Sequence, residues 1–356
     1  MGRPGRTWLT AAIALGWLAA LVGAILYVFG PGSRPSVPAG WTLWYDAGAT
    51  RALSVTRDGA WCGGPSGLYR LRDDGSAEAV PIPGLSRRAM VRAVLAPGDG
   101  SLWVGHGKGL SIRTASGWRM LTEADGLPHP QVLALAPTRD GFVWAGTTRG
   151  AARLPLKGPW DPGHLRALRR ADGLLDDTVW VVLEDRDGGV WFGNYAAPAG
   201  GLNRLEGDRW QHWTEADGLP HPNVTSILQA RDGRVWVGLG QFQQGGCAIF
   251  RRGDDGRWAL ERCLPRSELA GPKVRSLCQD RRGRYWLGYE SDGLTIRDES
   301  RTLRVVTPAD GLPSWEVTAI CEADDGAIWL ATLSGVVRIS PAAVDTLLGD
   351  AATGKD

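Results

Sequence analysis

"DGLPHPNVTSILQARDGRVWVG" (217–238) holds the pattern that decides the fold. An Asp-Gly-Leu-Pro turn leads into an apolar run, Val224 to Leu228. A second Asp-Gly follows at Asp232 and Gly233, and then Val235-Trp236-Val237-Gly238. Two apolar segments flanking Asp-Gly are the signature of a tight β-hairpin, because Asp-Gly accepts the positive φ values that such turns need.

The hairpin recurs. It reads "APGDGSLWVG" (96–105), "PTRDGFVWAG" (137–146), "EDRDGGVWFG" (184–193), "QDRRGRYWLG" (279–288) and "EADDGAIWLA" (322–331), with a member one residue short at "VTRDGAWCGG" (55–64). The tryptophans fall at Trp61, Trp103, Trp144, Trp191, Trp236, Trp286 and Trp329, at spacings of 41 to 50. That period fits one four-stranded propeller blade. A third strand follows each hairpin, as in "GLNRL" (201–205), and a fourth is often aromatic, as in "DRWQHWTEADG" (208–218). The large Trp is expected to fill the wedge between neighbouring blades, and the Gly after it to end the strand.

After the hairpin at Trp329 one further strand remains, "GVVRI" (335–339), while "GWTLWYDAG" (40–48) stands unattached at the other end. The expected fold is all-β: a seven-bladed β-propeller closed by its N-terminal strand, which removes the open sheet edges.

With its neighbours, the pattern DGLPxxxVxxIxxDxDGxxWxGxxxGLxRx resembles the two-component regulator propeller repeat, over about 41–340. The resemblance implies a periplasmic sensor domain, typically joined to a membrane helix and a cytoplasmic histidine kinase or similar output, with plant or host oligosaccharides sensed by some members. This chain departs from that plan. After Ser340 sixteen residues follow, with no kinase or DNA-binding domain. The resemblance implies a sensor-like binding module without the kinase.

The N-terminus has a different character. Residues 7–32 carry no charge, and 8–30 are almost wholly apolar, long enough for a membrane-spanning helix and longer than the apolar core of a cleaved signal peptide. The expected division is a cytoplasmic start at 1–7, a transmembrane signal anchor at 8–30, a Pro/Gly/Ser linker at 31–40, the propeller at 41–340 and a polar tail at 341–356. Arg3 and Arg6 against Arg34 give a modest positive-inside bias. This places the N-terminus in the cytoplasm and the body in the periplasm, on a single-pass inner-membrane protein. Ala12, Gly16, Ala20 and Ala24 form a small-residue stripe suited to a homodimer of membrane helices.

A net charge of +2 over 356 residues gives no footprint for nucleic acid. No motif fixes a base beside a nucleophile, so a catalytic role is not expected. No cofactor or metal is implied. His129 and His221, in the twice-occurring "TEADGLPHP" (122–130 and 214–222), lie two blades apart.

In a propeller the loops from strand four to the next strand one share a face with those joining strands two and three. Residues there with no evident packing role are candidate ligand contacts: His129, His221, Trp315, Tyr195, Asn194, Gln241, Phe242, Tyr289, Glu290 and, early in a first strand, Trp180. Aromatic rings beside amides and carboxylates suit a sugar. Counting outward from "GDDG" (253–256) sets Cys247 opposite Cys263, a pair able to form a disulfide in an oxidising compartment. Cys278 and Cys321 read as core-filling thiols.

The function expected is a membrane-anchored ligand-sensing propeller that binds a ligand, an extracellular carbohydrate being one class, and signals through a separate sensor kinase or other protein. The alternatives are a protein-interaction scaffold and a propeller hydrolase or lyase.

Overall fold

In the computed structural model the described residues are 37–353, with side chains to 349. The expected anchor at 8–30 and its small-residue stripe lie outside them. Among the described residues no helix is long and apolar enough to cross a membrane.

Residues from Trp41 onward form seven four-stranded antiparallel sheets. Blades one to six run Ala52–Val80, Val91–Leu121, Val132–Leu168, Val179–Trp213, Val224–Cys263 and Val274–Val306, each taking its strands in chain order. Blade seven takes its inner three strands from Val317–Ile339 and its outermost from Trp41–Trp44. There Trp41 pairs with Ile339 and Trp44 with Val336. The N-terminal strand thus closes the ring, as expected. The last described residues form a helix, Pro341–Thr353, with Ala343 and Val344 buried against blades six and seven.

The seven buried apolar clusters correspond to the seven seams between blades, with one repeat tryptophan in each. Trp191 of blade four packs with Val235, Val237 and Phe250 of blade five. Trp286 of blade six packs with Ile320, Ile328 and Leu330 of blade seven. Trp329 of blade seven closes the circle against Ala60, Cys62 and Leu71 of blade one.

The Gly after each tryptophan does not end the strand, contrary to expectation. Gly238 and Gly288 lie within the second strands of their blades. A Cβ on Gly238 would stand 2.8 Å from the carbonyl oxygen of Val274, and one on Gly288 2.8 Å from that of Val317. The next blade's inner strand crosses there, so the Gly permits the close approach of blade to blade.

The hairpin face carries a second repeat device. The backbone amides of Arg139, Arg186, Arg231 and Arg281 donate to Glu184, Gln229, Gln279 and Glu322, which end the inner strand of the following blade. Their guanidinium groups reach on to backbone carbonyls of the next hairpin. These latches join blade three to four, four to five, five to six and six to seven.

The predicted cysteine pairing is not formed. All five cysteines are free thiols. Next to the turn the register follows the simple count, Arg252 opposite Trp258 and Phe250 opposite Leu260. A bulge then shifts it by one, so Cys263 faces Ala248 rather than Cys247. Burial raises the thiols of Cys278 and Cys321, the latter to about 11, in keeping with packed, unreactive groups.

Candidate functional site

Blades two, four and six hand over to the next through a Gly-Leu-Pro turn and blade three through Gly-Leu-Leu, and the inner strand begins with valine in blades two to seven: Val91, Val132, Val179, Val224, Val274 and Val317. Directly after that valine the pairing with the second strand skips one residue in all six. A β-bulge leaves its extra residue unpaired and re-aims its side chain. The skipped residues are Arg92, Leu133, Trp180, Thr225, Arg275 and Thr318. Arg51, just ahead of Ala52, holds the matching place in blade one.

These seven side chains, one from each blade, line a single cavity of about 160 Å³ together with Val181. It lies at the end of the central channel where the Gly-Leu-Pro turns enter. Of the seven residues the sequence singled out only Trp180. The missed signal was the column one residue after the inner-strand valine, which reads Arg, Leu, Trp, Thr, Arg, Thr from blade two to blade seven.

A chain of contacts runs around the mouth. The rings of Trp180 and Tyr195 lie 4.8 Å apart, tilted by 33°. Lys273 Nζ is 3.2 Å from Tyr195 Oη and 5.5 Å from that ring's centre. Lys273 pairs with Glu290 at 2.7 Å, and Arg275 stands 3.8 Å from the same carboxylate. Arg275 Nε meets Glu316 at 2.9 Å, and Arg51 reaches Glu316 at 3.7 Å. Arg92 has no ion pair and no side-chain hydrogen bond among the described residues. Burial, and then the positive charge of Arg51, lower its pKa. The hydroxyls of Thr225 and Thr318 are taken up by backbone carbonyls of the next blade, Val274 O and Thr50 O.

The two histidines do turn chemistry. His129 Nδ1 accepts from the amide of Gln131 at 3.1 Å and lies 2.7 Å from Thr148 Oγ1. His221 Nδ1 accepts from the amide of Asn223 at 3.0 Å. At the same place in two other junctions, Asp176 accepts from Thr178 N at 2.7 Å and Ser314 from Glu316 N at 3.2 Å. Histidine, aspartate and serine all serve as the acceptor that bends the chain into the inner strand. His221 is buried, and its pKa is lowered first by that burial. Among the described residues no group of three or more His, Cys, Asp or Glu is placed to hold a metal.

The other candidates divide. Tyr195, Glu290 and Trp180 come together at the mouth. Asn194 and Tyr289 lie in strands rather than loops, and both are fully buried. Asn194 Nδ2 donates to the carbonyls of Asp176 and Thr178. The Tyr289 ring packs in the seam between blades five and six, and burial raises its hydroxyl to about 12. Neither offers a surface to a ligand. Gln241 ends the second strand of blade five rather than lying in a loop; its Oε1 accepts from Asn223 Nδ2 at 3.1 Å, and Asn223 Oδ1 accepts from Ala197 N. Phe242 sits at a hairpin tip, 75% exposed with φ of 52°, and Trp315 is 52% exposed. Neither belongs to the channel cavity.

Comparison with known proteins agrees with the repeat geometry. The family model described as two component regulator propeller matches residues 126–149, 173–196, 218–241 and 268–291. This chain carries two component regulator propeller repeats. The matched segments run from the handover turn through the Trp strand of blades three to six, the blades whose hairpins start the arginine latches.

Among solved structures, the chain is similar to an extracellular domain assigned to a hybrid two component system of B. thetaiotaomicron. The identity is 17% and the TM-score 0.66, over 82% of this chain and 40% of that one. It therefore spans about 40% of that domain's length. It is also similar to virginiamycin B lyase from Staphylococcus aureus, with 14% identity and TM-score 0.57 over 84% of this chain and 98% of that one. A third is YCF48 bound to D1 peptide, with 15% identity and TM-score 0.64 over 86% of this chain and 99% of that one. At these identities the likeness is one of fold. Comparison with curated proteins gave no match.

Proposed function

We propose that this chain is a membrane-anchored, periplasmic ligand-sensing propeller that takes a small ligand at the channel mouth and passes its occupancy to a separate signalling partner. The observation that carries the reading is the convergence of seven side chains, six of them re-aimed by bulges, on one cavity. Bulges recur in families as built features that aim side chains, and six of the seven places in this ring are such bulges. Each seam is already filled by its tryptophan cluster. The repeat family and the resemblance to extracellular domains of two component systems support a sensing role. The tilted Trp180–Tyr195 pair, flanked by Lys273 and Glu290, offers an aromatic face beside hydrogen-bonding groups. This suits an oligosaccharide as the ligand class.

The test is thermal unfolding of the full-length chain against a panel of plant and host oligosaccharides, in wild type and Trp180→Ala. A stabilisation by one panel member that disappears in Trp180→Ala supports the reading. Stabilisation that persists unchanged in the variant places the ligand elsewhere and overturns it. A protein partner captured equally well by both forms, with no response to any small ligand, would favour the scaffold instead.

A further inference from the structure

The mouth is charged in a way that the propeller itself does not need. Four cations stand there, Arg51, Arg92, Arg275 and Lys273, against two carboxylates, Glu290 and Glu316. The shortest pairings take up Lys273 with Glu290 and Arg275 with Glu316. Arg51 is left with a 3.7 Å contact to a carboxylate already held by Arg275, and Arg92 has none.

Two guanidinium groups near one another in a partly buried cavity repel, and each has given up hydration. Such an arrangement costs stability unless an anion completes it. Guanidinium is also the side chain whose planar donor fork best matches an oxyanion. By contrast the ring places in blades three, five and seven are Leu133, Thr225 and Thr318, so a cation is not a requirement of the bulge. A cavity of about 160 Å³ has the volume of about five water molecules, at roughly 30 Å³ each. It is large enough to admit one oxyanion.

We propose that the channel ring binds an anionic group, a carboxylate, phosphate or sulfate, between Arg51 and Arg92, with the Trp180–Tyr195 pair receiving the rest of the ligand. The proposal rests on the ligand-binding reading above and sharpens it. A neutral sugar would leave both guanidinium groups uncompensated, whereas an acidic ligand meets the cations and the aromatic face at once.

The experiment is thermal unfolding of the full-length chain in detergent, followed by tryptophan fluorescence. Inorganic phosphate, sulfate, glucuronate and glucose are added at ionic strength held constant with chloride. Wild type, Arg92→Gln and Arg301→Gln are compared, Arg301 being an exposed arginine on the outer hairpin of blade six. The expected result is stabilisation of wild type and Arg301→Gln by the anions and not by glucose. Arg92→Gln should bind about 10-fold to 100-fold more weakly, the loss of one charge-assisted contact. Glucuronate outperforming both inorganic ions identifies an acidic group on an organic body; the reverse identifies a free inorganic oxyanion.

Without any anion, Arg92→Gln is expected to melt at the same temperature as wild type or above it, because an uncompensated charge has been removed. A lower melting temperature would show that Arg92 supports the fold and would overturn the proposal. So would anion responses of equal size in wild type and Arg92→Gln. A neutral oligosaccharide that binds through Trp180 regardless of Arg92, with no response to anions, would overturn the anion site and leave the sensing function standing.

Discussion

Replacing Asp185 with alanine should be among the most damaging single changes in this propeller. Its carboxylate is fully buried and accepts four hydrogen bonds: from Asp187 N at 3.0 Å, Gly189 N at 2.9 Å, Trp191 Nε1 at 2.8 Å and Arg204 Nε at 2.7 Å. The Arg204 side chain is 1% exposed, and its remaining carboxylate, Glu206, is half in solvent. Its Nη2 lacks a hydrogen-bond partner among the described residues. Removing Asp185 therefore strands a buried cation, at a cost of about 3–5 kcal/mol, with the indole and backbone donors adding to it.

Asp280 offers a control with the same number of bonds. It accepts from Arg282 N, Arg284 N, Arg284 Nε and Trp286 Nε1. Its cation, Arg284, has a side chain 16% exposed and can turn to water. Asp280→Ala should cost about 2–3 kcal/mol. Blade five does without this acceptor: Ala230 holds the corresponding place, and Trp236 Nε1 has no carboxylate partner among the described residues.

Urea unfolding followed by tryptophan fluorescence measures both variants. Arg204→Met in the Asp185→Ala background should recover most of the loss, because the stranded charge is gone. Equal losses at Asp185 and Asp280, or no recovery in the double variant, would refute the charge-burial argument in favour of a plain count of hydrogen bonds.

Three further outcomes are expected. His106 is fully buried, lies 2.9 Å from Ser111 Oγ through Nε2 and accepts from Lys108 N; burial lowers its pKa from 6.5 to about 4. The unfolded chain takes up this proton first, so stability is intact above pH 6.5 and falls as the pH drops from there toward 4. Wild type should lose about 3 kcal/mol more than His106→Gln across that window, measured by urea titrations at fixed pH. Gly238→Ala should destabilise by about 1–3 kcal/mol through overpacking against Val274 and Ser226, read in the same assay. His129→Asp should stay within about 0.5 kcal/mol of wild type while His129→Ala loses about 1 kcal/mol, since an aspartate serves the same turn at position 176.

The ring, the blade count and the closing strand were legible because each repeat writes the same physical demands. Asp-Gly fixes the hairpin, tryptophan fills the seam, and the leftover strands at the two ends can only satisfy one another. What misled were places where one residue breaks a count. The bulge before Cys263 moved it past Cys247, and the Gly after tryptophan looked like a terminator when the contact it serves lies in the next blade. Asn194, Gln241 and Tyr289 fall in strands because the second strands run one to three positions past the Gly.

The candidate site was less legible for a related reason. A column of Arg, Leu, Trp, Thr, Arg and Thr has no consistent chemistry to mark it, and its members lie more than forty residues apart along much of the chain. Only closure of the ring brings them together.

That inconsistency bears on function. Positions that hold the propeller together repeat from blade to blade: the seam tryptophan, the approaching valine and the acceptor of the turn. The bulged residue is released from the pairing between strands, and its side chain changes between cationic, aliphatic, aromatic and hydroxyl around the ring. A repeat can change its ring residue without disturbing its hairpin or its seam, so the channel can acquire a ligand preference at little cost to the fold. His129 and His221 belong to the other class. They repeat because the turn needs an acceptor, and Asp176 and Ser314 supply the same need. The doubled "GLPHP" is therefore explained by the architecture, while the unpaired Arg92 beside Arg51 is not. A feature that the scaffold does not require, and that costs it solvation, is where selection for binding leaves its mark.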